Sequence, residues 1–376
     1  MFPTGADTFI ENLLYTGQWP LIKTTKLILM KRTYAYWVGA SLIITSLVAA
    51  PGCTKSTDDD SELVGNWKRS DDFEGNARSE AVSFVIGDNA YVGTGATNTS
   101  NTERFKDLWE YNVTRRYWVQ KADLPGAARS SAVAFAIGSK GYVGTGYDGV
   151  QRLSDFWEYD PSGDTWTQKA AFGGSARTDA SAFTIDGNGY VACGYDGNWL
   201  KDLWEYTPGA GSADPGTWTK KASVGGSKRS AAMSFTFGGK AYICAGVNNG
   251  EVQQDLWQYD PVADTWAEKT KIYNYSDDSY DDDWGTIARH NAVVFTIGNY
   301  VYLATGENGS INSTTWRYDP VNDTWIEKTG FEQTGRTGAV AFTISNRGFV
   351  LTGRSGTLMM DNMYEFLPDD EQVDND

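Results

Sequence analysis

The sequence predicts an all-β fold assembled from six copies of one four-stranded unit, and three observations carry that prediction. An Arg opens each unit, at Arg78, Arg129, Arg177, Arg229, Arg289 and Arg336, with spacings of 51, 48, 52, 60 and 47 residues. A phrase of aromatic, acidic and aromatic residues follows, as in "DLWEYNVTRRYWVQK" from Asp107, "DFWEYDPSGDTWTQK" from Asp155 and "DLWQYDPVADTWAEK" from Asp255. The segments between are short, β-branched or aromatic, and bounded by Gly, Asn, Asp or Pro, which is the pattern of strands and tight turns. Four strands repeated at this period describe the blades of a β-propeller.

Within a unit, the elements read in order. An apolar run such as "AVSFVIG" or "AVAFTIS" supplies the first strand. "AYVGTG" and its variants, ending at Gly95, Gly146, Gly194, Gly246, Gly306 and Gly353, supply the second. The Trp-Glu-Tyr phrase supplies the third, and the second Trp marks the fourth. A blade on its own leaves both faces of its sheet exposed. Large flat side chains at fixed strand positions fill the wedge that widens outward between neighbouring blades. Burying one such ring removes about 150–250 Å² from water, or roughly 4–6 kcal/mol before entropy is subtracted. The phrase therefore reads as packing, not catalysis.

The sixth unit ends "NMYEFLPDDEQVDND" and lacks its second Trp, whereas "LVGNWKRS" places Trp67 ahead of the first Arg. The N-terminal strand is predicted to complete the last blade beside Phe366, which gives six blades and removes an open sheet edge.

The unit resembles the kelch repeat: an apolar run, a Gly pair, then a Tyr and a Trp separated by six residues. Tyr111/Trp118, Tyr159/Trp166, Tyr259/Trp266 and Tyr318/Trp325 keep that separation, and Tyr206/Trp218 carries an insertion. The departure is that the Gly pair has become Thr-Gly, Cys-Gly or Ala-Gly. The resemblance covers about residues 64–368 and implies a six-bladed kelch propeller. Six-bladed bacterial kelch proteins include sialic-acid mutarotases, so the resemblance implies an enzymatic alternative, for which Glu307 near Arg354 is the pair to name. Kelch copper oxidases of the galactose-oxidase type require two His and a Cys-linked Tyr. This chain has one His, His290, which removes that chemistry.

The N-terminus reads as an address. From Met30, "MKRTYAYWVGASLIITSLVAAPGC" has two cations, a short apolar run and small residues before Cys53, the order of a secretory signal peptide. Its apolar stretch is short for a membrane span, which needs about 20 residues. Cleavage after Ala50 is one possibility. The other resembles a bacterial lipobox, with Gly52 before a Cys53 that becomes lipidated, although Ala50 and Pro51 depart from its usual residues. Lipidation at Cys53 is expected. The expected divisions are an extended or spurious start at 1–29, signal 30–52, acidic tether 53–63, propeller 64–368 and acidic tail 369–376. Together they imply an outer-membrane lipoprotein, facing the periplasm or the cell surface, that touches the membrane only through its lipid.

A formal charge of −16 argues against nucleic acid as a partner. Cofactors and metals are not expected: there is no Cys/His cluster, and the Tyr- and Asp-rich segment 271–287 matches no calcium-loop spacing and reads instead as a solvated recognition loop on one mouth of the channel. Cys193 and Cys244 read as buried small hydrophobes rather than a disulfide. The six Arg, placed by symmetry toward one mouth of the central channel, either pair with Asp107, Asp155, Asp202 and Asp255 or face the channel as an anion-gripping ring. Thr314 and Asn362 replace the Asp in units five and six, so Arg289 and Arg336 are the expected free guanidiniums. Loops on that mouth add Tyr147, Tyr195, Trp199, Glu307 and Arg354, with Asp148 and Asp196 as either rim or turn residues. The expectation is a monomeric binding protein that takes a glycan or protein there without catalysis.

Overall fold

The computed structural model describes residues 63–97, 103–211, 213–277 and 281–374. The expected signal peptide, Cys53 and the tether up to residue 62 lie outside the described residues. The described chain forms six four-stranded antiparallel sheets. The first blade is Val82–Ile86, Asn89–Gly93, Leu108–Asn112 and Tyr117–Lys121, and the next four repeat this order. The sixth joins Val340–Ile344, Arg347–Leu351 and Met363–Leu367 to Asn66–Arg69 from the other end of the chain. A single 3₁₀ turn, Trp284–Thr286, is the one helical element among the described residues.

The innermost strands carry small residues because the sheets converge at the axis; Ala81, Ala132, Ala180, Ala232, Ala292 and Ala339 all border the channel. Farther out, aromatic rings take over. Phe84 stacks on Tyr91 at 5.0 Å, and Tyr91 meets Tyr159 of the next blade at 5.6 Å. The fit is close enough to fix sequence. A Cβ at Gly141 would lie 2.2 Å from Phe84 of the preceding blade, and one at Gly189 would lie 2.2 Å from Phe135. The recurring Tyr and Trp sit opposite each other on neighbouring strands, Tyr111 with Trp118 and Tyr159 with Trp166, with centroids 4.9 and 5.0 Å apart. Cys193 and Cys244 are free and buried, and desolvation pushes both thiols up to about 12. Cys193 stands one residue past its strand in a left-handed conformation, so it is a turn residue rather than a strand residue.

Two rings of backbone hydrogen bonds tie the blades together around the axis. In one, Gly95, Gly146, Gly194, Gly246 and Gly306 each donate N–H to the carbonyl of the Arg opening the following unit, and Gly353 donates to Arg78. In the other, the residue two places after each Arg donates to its counterpart in the preceding blade. Ser131 donates to Glu80, Asp179 to Ser131, Ala231 to Asp179, Asn291 to Ala231, Gly338 to Asn291, and Glu80 back to Gly338. All six of these residues are left-handed, with φ between 51° at Ala231 and 63° at Gly338. Non-Gly residues adopt that conformation only where surrounding bonds hold it.

Closure is completed at the outer edge. Trp67 pairs in register with Phe366 and packs on Phe366, Phe331 and Phe295 at 4.7, 4.8 and 6.0 Å. Its indole N–H donates to Thr315 Oγ1 at 3.2 Å and the Thr329 carbonyl at 3.3 Å, both in or just after the fifth blade. The tail returns to the same edge, since Gly65 N–H donates to the Asp370 carbonyl. We predict that Trp67→Ala costs about 3–5 kcal/mol in urea unfolding, as large-to-small core changes do. A loss below about 1 kcal/mol, the average for any substitution, would show that this strand does not seal the ring.

Candidate functional site

The six opening arginines are all fully buried, each 0 % exposed. Arg78 shows the shared arrangement. Its Nη1 and Nη2 grip both oxygens of Asp107 at 2.6 and 2.7 Å, Nη1 also donates to the Thr94 carbonyl, and Nε donates to the Asn76 carbonyl. Arg129 with Asp155, Arg177 with Asp202 and Arg229 with Asp255 repeat it. The first Trp of the repeated phrase adds what sequence reasoning missed: Trp109, Trp157, Trp204 and Trp257 each donate their indole N–H to that same Asp. The fixed offset of two residues between Asp and Trp was the available signal. Burial alone would raise the Asp155 and Asp202 carboxyls, but hydrogen bonds and charge from their arginines hold both below the ordinary carboxylate range.

The expectation that Arg289 and Arg336 stand at the mouth is overturned, because both guanidiniums are buried, although only Arg289 has acceptors for all its nitrogens. Where Asp is missing, Arg289 is held by neutral oxygens: the carbonyls of Thr286, Thr305 and Thr314, and Thr314 Oγ1. Burial lowers it to about 9. Arg336 donates Nη1 to the Thr352 carbonyl at 3.0 Å and packs over Phe331. Neither guanidinium reaches the channel surface. The segment 271–287 also differs from a solvated recognition loop. Ile272, Trp284 and Ile287 are buried in the core, and buried Asp281 accepts hydrogen bonds from Ser276 Oγ and the Tyr275 and Ser276 N–H groups.

With the arginines withdrawn, the mouth belongs to the loops and to the left-handed ring. Tyr147, Tyr195, Glu307 and Arg354 occupy equivalent bridge positions in units two, three, five and six. Arg104 stacks on Tyr147 of the next blade at 4.8 Å, Arg152 stacks on Tyr195 at 4.7 Å, and Trp199 leans on Tyr195 at 5.1 Å. This half of the mouth is an aromatic and cationic ladder. Asp148 and Asp196 are turn residues, each accepting backbone N–H groups within its own loop. On the other half, Glu307 Oε1 accepts from Thr337 at 3.0 Å and lies 4.0 Å from Arg354 and 3.9 Å from His290. Burial lowers the His290 imidazole, Glu307 opposes that, and Arg354 reinforces it, so His290 is neutral at pH 7.

Between the two halves lies a cavity of about 310 Å³, lined by Glu80, Ser131, Tyr147, Asp179, His290 and Asn291 among others. Its two carboxylates are joined through Ser131, whose hydroxyl donates to Glu80 at 3.0 Å. Burial first, and the Glu80 charge second, raise the Asp179 carboxyl. No Lys or Arg lines this cavity among the described residues. Along the axis the channel is lined mostly by Ala and Val of the innermost strands, where the hydroxyls of Ser83, Ser181 and Ser234 are spent on neighbouring carbonyls. The polar groups available to a ligand are therefore at the mouth. Among the described residues no group of three or more His, Cys, Asp or Glu could hold a metal ion.

A family model for the Kelch motif matches residues 128–172, 229–271 and 288–330, which fall on the second, fourth and fifth units. This chain is a six-bladed propeller built on kelch motifs. No curated protein sequence matches it. Among solved structures, one titled "Structure of YjhT" superimposes with a TM-score of 0.63 at 15 % identity, covering 77 % of this chain and 95 % of that one. At that identity the likeness shows the propeller fold.

For this kelch propeller the clasps predict a specific cost. Asp155→Ala leaves Arg129 buried without its counter-charge and should remove about 3–5 kcal/mol. The folded Asp155 and Asp202 ionise at lower pH than they do unfolded. Their contribution is thus complete above about pH 4, the unfolded value, and disappears as pH falls through the lower folded values. Urea unfolding at pH 5 and pH 2.5 (about the span of that transition) should show a smaller acid loss in Asp155→Asn/Asp202→Asn than in the parent. Equal losses would contradict the clasp.

Proposed function

We propose that this protein is an exported, lipid-anchored binding module that holds a glycan in the mouth of its propeller, without catalysis. One observation carries the reading. The cavity at the mouth joins a converging set of hydrogen-bonding groups, Glu80, Ser131, Asp179 and Asn291, to an aromatic wall at Tyr147. Small-ligand sites pair a hydrophobic or aromatic wall with a few placed polar groups. Carboxylates and amides accept and donate to vicinal hydroxyls, and Tyr147, Tyr195 and Trp199 offer flat faces to a sugar ring. Glu307 and Arg354 extend the polar contacts along the rim. Because the floor carries two carboxylates and no cation, neutral or amine-bearing sugars fit it better than acidic ones. A protein ligand is the broader form of the same reading.

A second reading, a sugar mutarotase of the sialic-acid type, draws support from Glu307 lying 4.0 Å from Arg354, an acid–base candidate beside a carboxylate-binding group. The acidic floor weighs against it.

Thermal unfolding in the presence of neutral, amine-bearing and acidic sugars and short peptides separates these readings. Binding to the native state raises Tm by mass action. A rise with a neutral or amine-bearing sugar, lost in Tyr147→Ala and in Asp179→Asn, is expected; no shift with any compound would refute the binding role. A shift with sialic acid, together with faster anomer exchange that Glu307→Gln abolishes, would favour the enzyme. Separately, Cys53→Ala should move the protein from the membrane to the soluble fraction, and retention on membranes would refute the lipid anchor.

A further inference from the structure

We propose that the sixth blade binds a small monovalent anion against the buried side edge of Arg336. The evidence is an internal comparison across six copies of one arrangement. In four blades every guanidinium nitrogen has an acceptor: Asp takes both Nη atoms, and a carbonyl two residues back takes Nε. In the fifth, Thr286 and Thr314 supply neutral acceptors to Nε and Nη2. In the sixth, only Nη1 is engaged, by the Thr352 carbonyl at 3.0 Å and the Asn362 carbonyl at 3.4 Å. Arg336 Nε and Nη2 are buried with no acceptor among the described residues, and Asn362 Oδ1 is buried with no donor.

The two missing acceptors have separate causes. Asn362 stands where the other blades have Asp and brings an amide that carries no charge. The connection from Phe331 to Arg336 is as long as those from Phe73 to Arg78 and from Phe172 to Arg177, yet it turns no carbonyl toward Nε. What remains is one edge of a guanidinium with two adjacent, parallel N–H donors, the geometry that chelates a carboxylate or a single halide. The flat faces are covered by Phe331 at 4.8 Å and Tyr364 at 5.6 Å, so the edge is the direction of approach. Burial lowers the group only to about 10, and it stays charged at neutral pH. A buried charge without a partner is too costly to keep, and four sibling blades show that the partner this fold uses is a negative one. Complete burial, 0 % exposed, limits the ligand to the size of chloride or formate.

The test is thermal unfolding at constant ionic strength and pH 7, with chloride replacing gluconate stepwise, a parallel series using formate, and the Asn362→Asp variant in both. The parent should gain roughly 2–4 °C in a saturating manner as the site fills. Asn362→Asp should melt higher in gluconate alone and lose the saturating gain, because it carries the counter-charge itself. Saturation by formate as well as chloride assigns the site to small anions generally; saturation by chloride alone assigns it to halides. No saturating gain in the parent, or the same gain in Asn362→Asp, would overturn the proposal. Bromide-soaked crystals give an independent reading: an anomalous peak within hydrogen-bonding distance of Arg336 Nε and Nη2 is expected, and bromide found only elsewhere would overturn it.

Discussion

None of the six sheets has an interior of its own, so the structure depends on closing the circle. Each hydrophobic cluster is shared between neighbours: Ala90, Val92 and Tyr111 of the first blade are buried in one cluster with Val340, Phe342 and Phe349 of the sixth. The seam between first and last blades is therefore an ordinary interface made by the two ends of one chain. Trp67 contributes twice there, completing the sixth sheet and filling the wedge against Phe295 of the fifth. An open array of repeats could lose an end unit at little cost to the rest; a closed ring has no end unit to lose.

In four of the six blades a buried clasp locks a loop to its sheet inside this ring. Two guanidinium nitrogens and an indole N–H meet at one Asp, so a single carboxylate satisfies three donors. The functional consequence is a change of sign at the mouth. Six arginines that symmetry directs toward the axis are buried instead, and the charged groups that reach the cavity are Glu80 and Asp179. The left-handed ring presents them. Because its N–H and carbonyl groups are bonded tangentially from blade to blade, the side chains at those six positions are free to vary without disturbing closure, and here they are Glu, Ser, Asp, Ala, Asn and Gly.

Blade number, strand order and the closing strand were legible because aromatic periodicity records packing directly, and because the Trp missing from the sixth unit reappears as Trp67. The Arg–Asp pairing was legible because an Asp opens the aromatic phrase 25–29 residues after each of the first four arginines. The fate of Arg289 was not: its acceptors are mostly carbonyls, and a sequence does not display where a carbonyl points. Glu80 and Asp179 were missed for a related reason. They break no pattern, and only their common offset of two residues from an opening Arg marks them as neighbours across the channel. The extra length before the fifth unit looked like a solvated loop from its Asp content, yet Ile272, Trp284 and Ile287 anchor it in the core. Among the rim residues, Trp199 meets Tyr195 and Glu307 lies near Arg354, but the stacking of Arg104 and Arg152 on Tyr147 and Tyr195 is a blade-to-blade contact that no single repeat reveals.

Native-state hydrogen exchange tests closure most directly, because it reads the opening free energy of each blade separately. A ring closed by its first strand predicts that the amides of Asn66–Arg69, Met363–Leu367 and Val82–Ile86 exchange with the same free energy as those of the third and fourth blades, all through one global opening. Early exchange confined to the first and sixth blades, with the middle blades still protected, would show that the seam opens by itself and that the circle is not what holds the sheets together.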